Sequence, residues 1–174
     1  MDAILSTNRL YLRKITLEDA PDLFEMDSNP NVHTYLGNNP KKSLDGSIKD
    51  VHHIQKQYRE NGIGRLAVVL QETDEMIGWS FFKLENTELI NGRINFYDIG
   101  YRLKEKHWGK GYGFESAKAS LDYGFNELGF EKICGFVHVD NAGSKRIFEK
   151  LGMQFINSFE FWNEPFDWYE KVRT

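Results

Sequence analysis

His107-Trp108-Gly109-Lys110-Gly111-Tyr112-Gly113-Phe114-Glu115-Ser116-Ala117-Lys118 (HWGKGYGFESAK, 107–118) puts three glycines into five positions. It then runs into Phe114, Ala117, Leu121, Phe125 and Leu128, spaced by threes and fours. That spacing predicts a helix from about Gly113. The first N–H groups of a helix have no partner inside it, and the helix dipole adds partial positive charge there. Glycines admit positive φ and let a ligand approach the backbone. Together these features suit a phosphate or pyrophosphate, with Lys110 able to add a formal charge. A glycine-rich turn that only joins a strand to a helix fits the same residues, and the glycines alone leave both readings open. Two better-known phosphate loops are excluded. No GxxxxGK[ST] run exists, and GKGYGF gives GxGxG rather than the dinucleotide spacing GxGxxG.

Working outward, RLYLRKI (9–15) alternates as a strand does. Thr16 and Asp19 form a capping-box-like helix start, and Ala20, Leu23 and Phe24 continue that helix until SNPN (28–31). A second helix is expected from about Ser43, with Ile48, Val51 and Tyr58 on its apolar side and NGIG (61–64) as its end. Strands follow at 65–71, 76–84 and 93–103, the first two joined by the turn ETDE. After the glycine loop and its helix come a strand at 132–139 and a short helix at 141–152, with Gly152 as its cap. Two strands around NEPF (163–166) complete the chain. The order β-α-α-β-β-β-α-β-α-β-β predicts an α+β fold with one strand–helix–strand crossover in its second half.

The chain has 174 residues, of which 40% are apolar, enough for one domain, read as 1–174, with a sizeable core. No apolar run is long enough to span a bilayer, and the N-terminal residues lack a signal-peptide pattern. A cytoplasmic protein without a membrane partner is therefore expected. The net charge of −4 argues against a nucleic-acid partner. The single cysteine, Cys134, excludes an internal disulfide and reads as a small core residue. No histidine has a second ligand at metal spacing. His138 shares a strand face with Cys134 and Phe136, and His52 and His53 point apart on a helix, so no metal is expected.

The loop Trp108-Gly-Lys-Gly111-Tyr-Gly113 resembles the Q/R-x-x-G-x-G/A loop of the GNAT superfamily of acetyl-CoA-dependent N-acetyltransferases, with Trp108 in place of the usual Gln or Arg. YDIGYRLKEKHWGKGYG (97–113) and VDNAGSKRIFEKLGM (139–153) resemble the branch holding the ribosomal-protein N-terminal alanine and serine acetyltransferases. That branch also holds spermidine and antibiotic acetyltransferases. The resemblance implies the GNAT-like (acyl-CoA N-acyltransferase) fold, a mixed, mostly antiparallel sheet flanked by helices whose fourth and fifth strands splay apart. It implies acetyl-CoA as co-substrate, its pantetheine arm added to the fourth strand through backbone of Tyr101 and Leu103. A Tyr101 N–H would polarise the thioester carbonyl. Pyrophosphate would lie on N–H groups along Trp108, Gly109, Lys110, Gly111, Tyr112, Gly113 and Phe114, with Asn141 and Ser144 beside the arm and the sulfur.

The implied reaction is direct attack of a primary amine, for example a protein N-terminal α-amine, in a ternary complex. Alternatives are a polyamine or aminoglycoside acceptor and a non-catalytic CoA sensor. Such transfer needs a neutral amine, a stabilised oxyanion and a proton for the thiolate. Asp98, where the branch usually has Glu, and Glu160 in FEFWN are the candidate bases. Ser144 is the candidate proton donor, because the position where many relatives carry Tyr is here Phe148. Glu115, in the first turn after the loop, reads as structural. The acceptor surface is expected from residues 30–63 and the C-terminal hairpin, with Tyr35, Trp162, Phe166, Asp167 and Trp168 as its lining. Dimers are common in the family, so a homodimer is an expectation of resemblance alone.

Overall fold

The computed structural model describes residues 2–174. Met1, with which the single-domain reading begins, lies outside them. The elements are β1 (Ala3–Ser6), β2 (Leu10–Lys14), α1 (Ala20–Asp27), α2 (Leu44–Asn61), β3 (Leu66–Leu70), β4 (Met76–Glu85) and β5 (Phe96–Leu103). They continue with α3 (Tyr112–Asn126), β6 (Lys132–His138), α4 (Ala142–Lys150), β7 (Gln154–Phe161) and β8 (Glu164–Val172). All eight strands join one sheet in the order β1-β2-β3-β4-β5-β6-β8-β7. Every pairing is antiparallel except β5–β6, which the α3 crossover makes parallel. This is the mixed sheet that the loop and the element order imply.

The local signals act as expected. The Thr16 N–H donates to Asp19 Oδ2 at 2.8 Å. Ser43 precedes α2, and Gly62 closes it at φ 74°, a conformation glycine adopts at no steric cost. Side chains of β3 alternate between two cores. Leu66 and Val68 pack with α3 residues Ala117, Leu121 and Phe125, while Ala67 and Val69 pack with Leu23 and Met26 of α1 and Val51 of α2. The sheet therefore has α3 and α4 on one face and α1 and α2 on the other.

Three expectations shift. β1 was not foreseen, because four residues at a sheet edge carry too little periodicity to register. β5 starts at Phe96 rather than at residue 93, because Asn91 and Gly92, at φ 52° and 72°, make a tight turn that returns Arg93 to Ile90. α3 ends at Asn126, so Leu128 lies beyond it and is exposed. With β1 counted, the fourth and fifth strands of the sequence reading are β5 and β6.

Candidate active site

β5 and β6 share a single partner pair, Asp98 with Cys134. Beyond it, Ile99–Leu103 and Gly135–His138 diverge and leave a cleft of about 910 Å³, within the range of ligand pockets. The edge of β5 past Asp98 has no strand neighbour there, so an extended ligand can pair with it. The cleft, called here the rear cavity, is lined by Tyr101, Leu103, the loop before α3 and the start of α4.

The N-terminus of α3 opens into this cavity. Gly111 precedes the helix at φ 84°, Gly109 sits at φ 72°, and no side chain caps the first turn. The first-turn acid, Glu115, turns away. It accepts from Thr7 Oγ1 at 2.6 Å, from the Arg9 N–H at 3.0 Å and from Arg9 Nε at 2.7 Å. Arg9 in turn donates to the Lys110 carbonyl at 2.9 Å and lies 4.4 Å over the Tyr112 ring. Trp108, Gly109, Gly111, Tyr112, Gly113 and Phe114 line the cavity; Lys110 points to solvent. The Trp108 indole N–H donates to the Leu103 carbonyl at 2.9 Å, which pins the loop to the end of β5 and leaves that carbonyl one free lone pair.

Deeper in the cavity, Asn141 Oδ1 accepts the Ser144 N–H at 3.2 Å and caps α4. The Tyr101 hydroxyl and Ser144 Oγ lie 2.8 Å apart, and either can be the donor. Burial raises the Tyr101 pKa against the pull of the Ser144 hydrogen bond, so the phenol stays protonated at neutral pH. Gly113 makes this contact possible, since a Cβ there would stand 3.0 Å from the Tyr101 ring. Phe148 is 2% exposed and packs onto Gly135, so it belongs to the core.

A second cavity of about 700 Å³, the front cavity, opens on the α1–α2 face. It includes Trp79, Trp162, Lys83 and Arg65 in its lining, and it shares Leu36 and Arg102 with the rear cavity. His33, on the loop after α1, lines it as well. Burial lowers the His33 pKa, so its imidazole is neutral at neutral pH, 3.4 Å from Asp27 Oδ1.

The structure sorts the remaining candidates. Asp98 lines neither cavity. Its Oδ2 accepts from Arg65 Nη2 at 2.7 Å, and burial pushes the carboxyl up against that ion pair. Glu160 is exposed on the outer strand β7 and also lines neither cavity. The acceptor lining is corrected at two positions. Trp168 is fully buried and stacks on Phe136 with ring centroids 5.7 Å apart. Asp167 is buried in contacts with Ser158 Oγ at 2.6 Å and Lys145 Nζ at 2.8 Å. Side chains alternate across β8, and neither face at these two positions opens into a cavity. Trp162 lines the front cavity, whereas Tyr35 and Phe166 line the rear one. Cys134 is inert, its thiol pushed up to about 12 by burial. Arg9, Tyr101 as a side chain and Arg102 were missed by the sequence reading because their partners lie far along the chain, and His33 because a lone loop histidine carries no spacing signal.

Comparison with known proteins gives one consistent result. A family model described as acetyltransferase (GNAT) domain matches residues 9–154. An uncharacterized N-acetyltransferase, p20, of Bacillus licheniformis is 35% identical over 150 residues, covering 86% of this chain and 82% of the relative. The crystal structure of a GNAT-family acetyltransferase from Bacillus anthracis superposes with a TM-score of 0.80 at 25% identity, covering 97% of both chains. RimL, a ribosomal-protein α-N-acetyltransferase solved with coenzyme A, shares the fold with a TM-score of 0.80 at 20% identity, covering 99% of this chain and 98% of its own.

Proposed function

The chain belongs to the acetyltransferase (GNAT) family and is an acyltransferase; from that premise we propose that it transfers the acetyl group of acetyl-CoA to a primary amine by direct attack. The co-substrate occupies the rear cavity and the amine reaches it from the front. That Leu36 and Arg102 line both cavities, so that the two lie against each other, carries this reading. Two substrates entering from opposite faces of the sheet come together there without a covalent enzyme intermediate.

The residues present fit acetyl-CoA. The uncapped amides at the start of α3 suit a diphosphate, and the open edge of β5 suits an extended amide-bearing arm. Bound there, acetyl-CoA supplies an activated acyl carbon and a thiolate leaving group. In the proposal, Gly109, Gly111, Tyr112, Gly113 and Phe114 hold the diphosphate through backbone N–H groups. Tyr101 and Leu103 align the arm, and the Tyr101 N–H polarises the acyl carbonyl. Ser144 Oγ passes its proton to the departing sulfur and regains one through the Tyr101 hydroxyl, which is itself reprotonated from solvent, while the attacking nitrogen gives its proton to water.

No dedicated carboxylate base is proposed. Asp98 is committed to Arg65 and Glu160 faces water. An α-amine of ordinary pKa, about 7.7 to 8.0, already carries a neutral fraction near pH 7. Following thiol release from acetyl-CoA with a chromogenic disulfide, across peptides, amino acids, polyamines and aminoglycosides, tests the reading. Amine-dependent release is expected; tight CoA binding with no release from any amine would refute it and leave a binding module.

A further inference from the structure

We propose that the front cavity selects a small acceptor whose amine is accompanied by an anionic group, a carboxylate or a phosphate; this rests on amine acetyl transfer being the reaction. Four cationic side chains line the cavity, Lys41, Arg65, Lys83 and Arg102, against two carboxylates, Asp27 and Asp50. Every cation has an acidic partner: Lys41 with Asp50 at 3.0 Å, Arg65 with Asp98 at 2.7 Å, Lys83 with Glu85 at 2.7 Å and Arg102 with Asp27 at 2.9 Å. Formal charge is therefore balanced, and selectivity depends on which member of each pair faces the cavity.

In two pairs the cation is much the more exposed member, whereas in Lys41–Asp50 the two are similar, at 32% and 41%. The Lys83 side chain is 33% exposed and that of Glu85 2%; Arg102 is 25% exposed and Asp27 4%. Glu85 turns its lone pairs into the protein. Glu85 Oε1 accepts from the Thr87 N–H and hydroxyl and from the Glu88 N–H, while its Oε2 takes Lys83. Arg102 spends one N–H on Asp27 and keeps the other four of its fork. Arg65 is committed to the Phe81 and Asp98 carbonyls and to the Asp98 carboxylate, so it contributes little. The cavity wall thus offers N–H donors from Lys83 and Arg102, the groups that recognise carboxylate and phosphate.

The same wall disfavours a polycation. Both guanidinium groups lie over Trp79, at 4.7 Å for Arg65 and 5.2 Å for Arg102, so the indole between the two cations is already engaged, and only the exposed Trp162 at the cavity's edge is left to a substrate ammonium. Cations near the acceptor also disfavour its ammonium form. Anchoring an anion and generating a neutral nucleophile then come from one set of residues, which accounts for a front cavity without a free carboxylate base.

The test uses the full chain with acetyl-CoA and matched acceptors: free L-amino acids against their α-amides, phosphoethanolamine against ethanolamine, then spermidine and an acidic-N-terminus hexapeptide. At least tenfold higher kcat/KM is expected for the anionic member of a matched pair. Lys83→Met should raise KM for that acceptor at least tenfold, leave the Kd of CoA unchanged, and raise KM for the amide by far less. Because Lys83→Met strands Glu85, the double variant Lys83→Met/Glu85→Gln gives the same readout in a fold without a buried lone charge. Equal or better use of amides, ethanolamine or spermidine overturns the inference while amine transfer stands. Preference for the hexapeptide over every small acceptor overturns the small-molecule assignment. Failure of all amines to release CoA overturns the inference together with amine transfer itself.

Discussion

Ser144 and Tyr101 stand 43 positions apart in sequence, yet their hydroxyl groups meet at 2.8 Å beside the expected sulfur position. If they act as one proton relay, removing either disables it. Ser144→Ala and Tyr101→Phe are each expected to lower kcat about 100-fold. The double variant should be little worse than either single one, and CoA should bind all three equally. Steady-state kinetics with calorimetric Kd values check this. Asp98→Asn tests the opposite assignment. It strands the buried Arg65 guanidinium, so it should cost about 3 kcal/mol in denaturant unfolding. The kcat of the folded fraction should stay within a few-fold of the parent, because Asp98 lines neither cavity. Ser144 and Asn141 were legible in the sequence because N-x-x-S is a local pattern that resembles the family's own at this helix. Arg9 was not, since it meets Glu115 across 106 positions and no local spacing encodes that contact.

At the scale of elements, the start of α3 is the part most completely written in the chain. Glycines, helix periodicity and strand order all point to the same junction, and the helix begins at Tyr112. Gly111→Ala forces a side chain into the left-handed region at a cost of about 1 to 2 kcal/mol. If the helix start relaxes to avoid that strain, CoA affinity should fall about tenfold, as read by titration. Gly78 on β4 holds the end of β5, which borders the cleft. A Cβ there would stand 2.1 Å from the Arg102 carbonyl, which neither strand can yield without breaking β4–β5 pairing. Gly78→Ala should therefore cost about 2 to 3 kcal/mol, measured as a lowered denaturant midpoint. Trp168 shows why the hairpin was misread. Residues of β8 alternate regularly, but the sequence does not say which face meets a cavity and which meets the aromatic cluster of Phe96, Phe136 and Phe159.

Across the whole molecule, charge is distributed in ways composition conceals. The net −4 is compatible with a cationic partner and decides nothing by itself, whereas the front cavity presents donors from Lys83 on β4 and Arg102 on β5. Their convergence is a property of the folded sheet, so it was not legible beforehand. Buried pairing also sets acid stability. Burial pushes Glu85 up, but Lys83 and Thr87 pull it down further, to about 2. Its folded pKa lies below the unfolded one, near 4.5, so its contribution is complete above that pH and is lost as pH falls toward 2. Unfolding free energy should drop across this window, with about 3 kcal/mol attributable to Glu85. In Glu85→Gln that part of the slope should vanish in chemical denaturation run at pH 6, 4 and 3.

The account depends most on diphosphate binding at bare amides beside an open strand edge. Isothermal titration of the full chain with CoA, and with pantetheine as the truncated control, measures this directly. One saturable site per chain, with pantetheine at least tenfold weaker, is the predicted result. No heat with CoA, or equal affinity for pantetheine, would contradict it.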